Sequence, residues 1–270
     1  MAKDTIPKRT WSMPPLIKNP TIRWIVIIAI IAYAIMAFFT IKNGINPVRI
    51  KQGWPRTVRL ITNFVQPDFF TRIKDIRIGV LESITMTVVS TFVGVILAIP
   101  FSLGAARNIA PRPVYLFSRT FIILSRTFPE IVVALLFVVM VGFGPLAGAI
   151  TLMLATIGFI AKLMAEDIED IDESQVEAIK ATGASWPQMV VYSIIPQVLP
   201  RFIGLTAYRL DINFRQSAIL GIVGAGGIGA VLKTSMSRYD FDTTGAILAI
   251  IIAIVLVLEL ISGYIRKRVQ

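Results

Sequence analysis

Six charged side chains fall inside stretches otherwise suited to hydrocarbon: Arg119, Arg126 and Glu130 in one, Arg209, Asp211 and Arg215 in another. A charge at the centre of a bilayer costs at least about 2.5 kcal/mol, so such residues usually face a pore or a partner. Four of the six are arginines, and a guanidinium offers a planar fork of N–H donors that matches the oxygens of phosphate-like anions. In a continuous helix the spacing i, i+7, i+11 puts Arg119, Arg126 and Glu130 on one face. Arg126 and Glu130 pair at i, i+4, as do Asp211 and Arg215. At about 1.5 Å per residue from Tyr115, Glu130 comes near mid-membrane. Thr206, Tyr208, Asn213, Gln216 and Ser217 make the second stretch polar as well. The two stretches, Ser217 included, therefore read as the lining of a pathway for an oxyanion. Internal ion pairs that hold helices together are the alternative role for each arginine. Glu82 and Glu259 lie near span ends and read as interfacial.

Other chemistry is excluded by residue type. The chain has no cysteine and no histidine, which removes disulfides, thiol catalysis, haem and the usual zinc sites, and leaves no histidine as general base. Gly224, Gly226 and Gly229 fit G-x-G-x-x-G, but that pattern binds dinucleotides only after a strand, and here it follows an apolar span. With Gly227 these glycines read instead as a turn or gate: they let backbone bend and helices approach closely. No phosphate-binding G-x-x-x-x-G-K-[ST] loop occurs, and nothing marks a nucleophile, so neither ATP hydrolysis nor a membrane enzyme is expected of this chain.

The elements that position these residues follow from composition. Of 270 residues, 55% are apolar and only 16% charged, more apolar surface than a soluble domain can hide. Charge-free runs cover Trp24–Ile41, Ser83–Ala106, Ile131–Ala161 and Thr243–Leu258, the third interrupted by the turn signal Gly142-Phe143-Gly144-Pro145. The expectation is an all-α polytopic membrane protein with about six transmembrane helices: Trp24–Ile41, Gly79–Ala106, Tyr115–Val141, Pro145–Met164, Leu199–Ile222 and Thr243–Tyr264. The net charge of +11 sits mostly beside the spans, where it meets headgroups and sets topology; it does not point to nucleic acid. A basic N-terminal arm, not a cleavable signal, and the basic C-terminal Arg266-Lys267-Arg268 put both termini in the cytoplasm. Residues 42–79 read as a polar connection with eight basic residues against Asp68 and Asp75. Its place outside runs against the positive-inside tendency, and its charge suits lipid headgroups first, an anion or acidic partner second.

Between the fourth and fifth spans lies an acidic run, 166–173, and then Glu177-Ala178-Ile179-Lys180-Ala181-Thr182-Gly183-Ala184-Ser185-Trp186, continuing to Pro196. It reads as a polar helix, a glycine break at a C-cap, and a second amphipathic piece ending at the proline, with Trp186 interfacial. Glu177 is followed after six residues by Gly183 and after thirteen more by Pro196. This spacing resembles the "EAA" loop of permease subunits in ATP-binding-cassette importers, with Ile179, Ser193 and Ile195 as mild departures. Arg126-Thr127-Phe128-Pro129-Glu130 and the stretch Arg215–Gly229 are similar to the phosphonate-type members of that family.

The resemblance covers about residues 77–264. It implies the type I ABC importer transmembrane fold and a permease for phosphonate-like oxyanions working by alternating access. Residues 1–76 would carry the arm, the first span and the polar loop; 77–264 the permease domain, with a cytoplasmic coupling loop at 165–196; and 265–270 a basic tail. The coupling role falls on Glu177, Ala178, Gly183, Ala184 and Trp186. The implied partners are a second permease copy, two cytoplasmic ATPase subunits that use the ATP, and an extracytoplasmic substrate-binding protein, in a bacterial inner membrane. No cofactor is expected on this chain itself. A permease of the same build for phosphate or methionine is the nearest alternative. An ion-coupled secondary transporter is further off, because no inverted repeat is visible.

Overall fold

The computed structural model describes residues 20–44 and 47–269, and the described residues are helical throughout, without a strand. They divide into two compact units, one ending at Arg59 and one beginning at Leu60. The first holds α1 (Pro20–Gly44), apolar enough to cross a membrane and largely exposed, and most of α2 (Pro47–Val65). Most of the expected polar connection is therefore helix. Its apolar positions, Trp54, Val58 and Ile61, recur at helical spacing, but interleaved Arg56 and Arg59 cancel them in any average hydropathy.

In the second unit, α3 (Ile73–Ala105) and α6 (Pro145–Glu169) form the central pair. They run parallel: Gly148 of α6 packs near Met86, Gly94 sits against Thr156, and Glu169 accepts the Arg107 N–H at 2.7 Å just past the end of α3. The close approach at Gly94, where a Cβ would lie 2.7 Å from Thr156 Cβ, is the kind of small-residue seam by which membrane helices associate. The inner face of α3 is correspondingly small and hydroxylic (Ser83, Thr87, Ser90, Thr91, Gly94, Ala98), while Val88, Phe92 and Ile96 point outward.

Two parallel helices joined in sequence need a return crossing. It is made by α4 (Arg112–Thr127) and α5 (Glu130–Val141), bent by 93°. The continuous third span is corrected here. Phe128 is extended (φ −87°, ψ 134°), the conformation a following proline favours, and Pro129 caps a new helix. The face count and depth count across residues 119–130 do not survive that break.

Beyond α6 come α7 (Glu173–Ala181), the single turn α8 (Trp186–Met189), a π-helical turn over Val190–Ile194, and α9 (Ile195–Ile222). From Trp186 to Ile222 these form one helical run of 37 residues, so the amphipathic piece does not stop at Pro196 and the fifth span does not start near Leu199. Pro196 lies in the first turn of α9, the position where a proline's missing N–H costs least, and the π turn absorbs the change of pitch. α9 is antiparallel to α6: Arg201 meets Asp167 at 3.0 Å at one end, and Leu220 clusters with Leu152 at the other. α10 (Gly227–Ser237) packs on α3 and α9, and α11 (Phe241–Val269) starts beside Ile76 and runs back toward Tyr208. Five long apolar helices and the bent pair match the six expected spans. The second unit thus has two ends: α7, α8 and the 106–111 turn at one, the glycine turn, α10 and the starts of α3 and α6 at the other.

Candidate functional site

The six charges do not form one cluster, and of them only Arg209 and Asp211 are buried. Arg119 lies at the α7 end of the bundle, where its Nη2 meets Glu169 Oε1 at 2.7 Å and its Nε donates to the Ala105 carbonyl at 2.8 Å. It ties α4 to the ends of α3 and α6. Arg126 and Glu130, four residues apart, do not pair, because the break at Pro129 turns them away from each other.

Glu130 opens α5 and reaches α9 instead: Arg209 Nη2 lies 3.3 Å from its Oε1. Arg209 is buried, donates through Nε to Thr156 Oγ1 at 3.2 Å, and sets its guanidinium 5.2 Å from the Phe159 ring centroid. Arg126 occupies the same ring at 5.9 Å and is exposed. Among the described residues it has no carboxylate within ion-pair distance. Two guanidiniums therefore share one aromatic ring while a single carboxylate, Glu130, pairs with Arg209 alone, a local surplus of one positive charge.

A polar node completes this middle layer. Asn213, fully buried, donates to Thr91 Oγ1 (2.8 Å) and Thr156 Oγ1 (2.9 Å), and both hydroxyls donate onward to their own helices. Each hydroxyl thus uses its one proton and its free lone pairs, and α3, α6 and α9 are bonded together in the bundle interior. Asp211 and Arg215 do pair at i, i+4, with Arg215 Nε 3.3 Å from Asp211 Oδ1; Asp211 is buried while the Arg215 side chain is about half exposed. Ser217 is fully buried and donates to the Phe214 carbonyl at 2.8 Å, a bond within its own helix. Thr156, Phe159 and Glu169 were missed because their partners come from distant helices. The recurring hydroxyls of α3, Ser83, Thr87, Ser90 and Thr91, are the signal in the sequence that a polar interior faces them.

At the far end the glycines act together. Gly224, Gly226 and Gly227 have φ of 103°, 74° and 72°, a left-handed region closed to most side chains, and Gly144 N–H donates to the Gly224 carbonyl at 3.1 Å. Gly229 is helical and packs against Gly221, where an added Cβ would lie 3.0 Å from the Gly221 Cα. The N-terminus of α10 is held from α3: Glu82 Oε2 accepts the Gly227 N–H and Ser83 Oγ the Ile228 N–H, each at 2.9 Å. Glu82, near the start of its span, also serves as a capping group for α10, satisfying a donor that a helix start leaves open.

At the other end α7 is anchored by its apolar side and free on its polar one. Val176 is buried with Ile168, Met189 and Ile194, whereas Glu177 and Ala178 are exposed. Asp172 caps α7 through the Ser174 N–H (3.0 Å), and the Ser174 side chain and backbone hold its carboxyl below the ordinary range. Gly183 takes φ 79° with open space around it, and Ala184 is half-buried. Trp186 is 50% exposed and its Nε1–H reaches the Ile109 carbonyl at 3.4 Å. Of the five residues expected here, Glu177, Ala178 and Trp186 present a shallow outward surface, with Gly183 providing the bend.

Comparison with known proteins gives the family and the fold. Residues 91–270 match the family described as binding-protein-dependent transport system inner membrane component. The chain is 37% identical over 240 residues to the phosphate-import permease protein PhnE of Mycolicibacterium smegmatis, covering 88% of this chain but 45% of that protein. It is 35% identical over 224 residues to the phosphite transport system permease protein PtxC of Stutzerimonas stutzeri, covering 83% and 81%. An inward-facing structure of the MetNI methionine ABC transporter superposes with a TM-score of 0.65 at 24% identity, over 73% of this chain and 97% of that one, which speaks for the fold. With the family match spanning residues 91–270 and the bundle built as it is, the chain belongs to the binding-protein-dependent transport system inner membrane components.

Proposed function

We propose that this chain is the permease subunit of an ATP-driven importer of small phosphorus oxyanions (phosphonate, phosphite or phosphate), and that Arg126 and Arg209 face the moving anion. The observation that carries this is the shared Phe159 ring: Arg209 is neutralised by Glu130, Arg126 is not. An oxyanion arriving there meets one free guanidinium fork, with a second behind it whose carboxylate it can replace. The names of the relatives, phosphate-import and phosphite transport permeases, point to the same class of cargo.

The reading includes a second permease copy, two cytoplasmic ATPase subunits and an external binding protein. It places α7, α8 and both termini on the cytoplasmic side. Glu177, Ala178 and Trp186 then form the docking surface for the ATPase, Gly183 the bend that shapes it, and the glycine turn with α10 the outer gate. The chain carries no phosphate-binding loop of its own, so the ATP is hydrolysed by the partner. Alternating access follows when ATPase closure moves the two α7–α8 segments and the rods behind them.

The test is uptake by the complete complex in proteoliposomes with its binding protein, using labelled phosphite, a phosphonate, phosphate and methionine. Arg126→Ala is expected to lower oxyanion uptake at least about tenfold, the loss of a charge-assisted contact worth about 1.5–3 kcal/mol, with assembly unchanged. Equal loss of assembly, or methionine as the favoured cargo, overturns the reading.

A further inference from the structure

The helix α2 has a feature the transport reading does not use. Trp54, Val58 and Ile61 are 67%, 45% and 56% exposed, and at 100° per residue they fall on one side of the helix. Arg56 and Arg59 fall on the opposite side, and Lys51 borders the apolar strip. The helix contains no acidic residue at all. Only Ile45 and Asn46 separate its start from the end of α1, a helix apolar enough to span a membrane.

We propose that α2 is an interfacial helix that lies along the bilayer surface and binds anionic lipid headgroups. Two connecting residues cannot carry the start of α2 more than about 7–11 Å from the end of the span, so its N-terminal half is confined to the headgroup region. There a helix with one apolar and one basic face sinks the first into the acyl boundary and leaves the second among the phosphates. Trp54 suits that depth, since its ring is apolar and its N–H finds polar partners at the interface. Lys51, at the border of the apolar strip, can lay its stem along hydrocarbon and raise its ammonium to the headgroups. A folded protein partner is disfavoured because its surface would have to supply acids for the basic face while covering Trp54. The bilayer beside α1 supplies both needs at once. The inference rests on α1 as a membrane span and is independent of the cargo.

The absence of cysteine allows a direct test. Single variants W54C, V58C, R56C and R59C of the full chain, in the assembled complex, are spin-labelled and placed in vesicles of phosphatidylcholine with or without phosphatidylglycerol. Labels at 54 and 58 should be reached by oxygen and shielded from a nickel chelate, with the reverse at 56 and 59. Adding K51Q, R56Q and R59Q to V58C should lower the ratio of surface-bound to released helix on the order of fivefold per charge removed in phosphatidylglycerol vesicles, the factor set by ~1 kcal/mol per basic side chain, and leave it unchanged in phosphatidylcholine. Water exposure of all four labels overturns the proposal. So does shielding of 54 and 58 from both reagents, or shielding that appears only with the binding protein, since either marks a protein partner.

Discussion

Arg126 and Arg209 differ in one respect that decides what each substitution does. Arg209 is 4% exposed and is held by Glu130, Thr156 and the Phe159 ring, so its removal leaves the Glu130 carboxylate, itself 26% exposed, without its partner. Losing one partner of a fully buried pair costs about 3–5 kcal/mol, and the water that reaches Glu130 lowers that figure here. Arg209→Ala should therefore lower the thermal stability of the purified complex and its yield, and Arg209→Ala with Glu130→Gln should recover much of both. Failure of the double variant to recover would show that the contact to Thr156, not the ion pair, carries the structural role. The sequence displayed these charges plainly, as intrusions in apolar runs. It did not display their partners, because Glu130–Arg209 and Arg119–Glu169 close across helices far apart in the chain, whereas only Asp211–Arg215 closes at the helical spacing that sequence can show.

Single elements show where local signals compete. By hydrophobic length the stretch around Pro129 reads as one span, yet Phe128 before the proline is extended and the span breaks there, whereas Ile99 before Pro100 and Leu199 before Pro200 stay within α3 and α9. At Pro196 the same residue type had no such effect, since it falls in the first turn of α9. Spacing made the polar segment before α9 legible; the continuation of helix through it was not, because a π turn has no sequence signature as strong as a proline. The start of α7 also carries a pH dependence. The Asp172 carboxyl, lowered by its bonds to Ser174, stabilises α7 fully above the ordinary carboxylate range near 4. That contribution is lost as the pH falls through the lowered folded value. Protection of the α7 amides, measured against the unstructured chain at the same pH, should fall on acidification in the native chain, be low at every pH in Asp172→Ala, and hold steady with pH in Asp172→Asn, since asparagine caps equally well without titrating. Identical exchange in all three would remove Asp172 as the cap.

Across the whole molecule, α6 and α9 run from the α7 end to the glycine turn as linked rods. Glu169, Asp167 and Ile168 tie the end of α6 to Arg107, Arg119, Arg201 and Asn108, and Asp172 N–H reaches Gln197. The Thr91–Asn213–Thr156 node joins both rods to α3 at mid-length. Under the proposed coupling role, a displacement of α7 would act through these contacts on α10 at the far end, which is packed on α9 and capped by Glu82 and Ser83 of α3. If the outer gate opens by separating α10 from α3, a covalent bond between them must stop transport whatever happens at the ATPase. Gly79 and Val231 offer the place: a Cβ at 79 would lie 2.8 Å from Val231 Cγ2, so G79C with V231C replaces a crowding methyl by the sulfur that closes the bridge. In the reconstituted complex the oxidised double variant should bind ATP and dock its binding protein but take up no oxyanion. Reduction should restore uptake, and neither single variant should respond to oxidant. Full uptake with the bridge formed would mean that α3 and α10 travel as one body. The gate would then have to lie elsewhere than between α3 and α10.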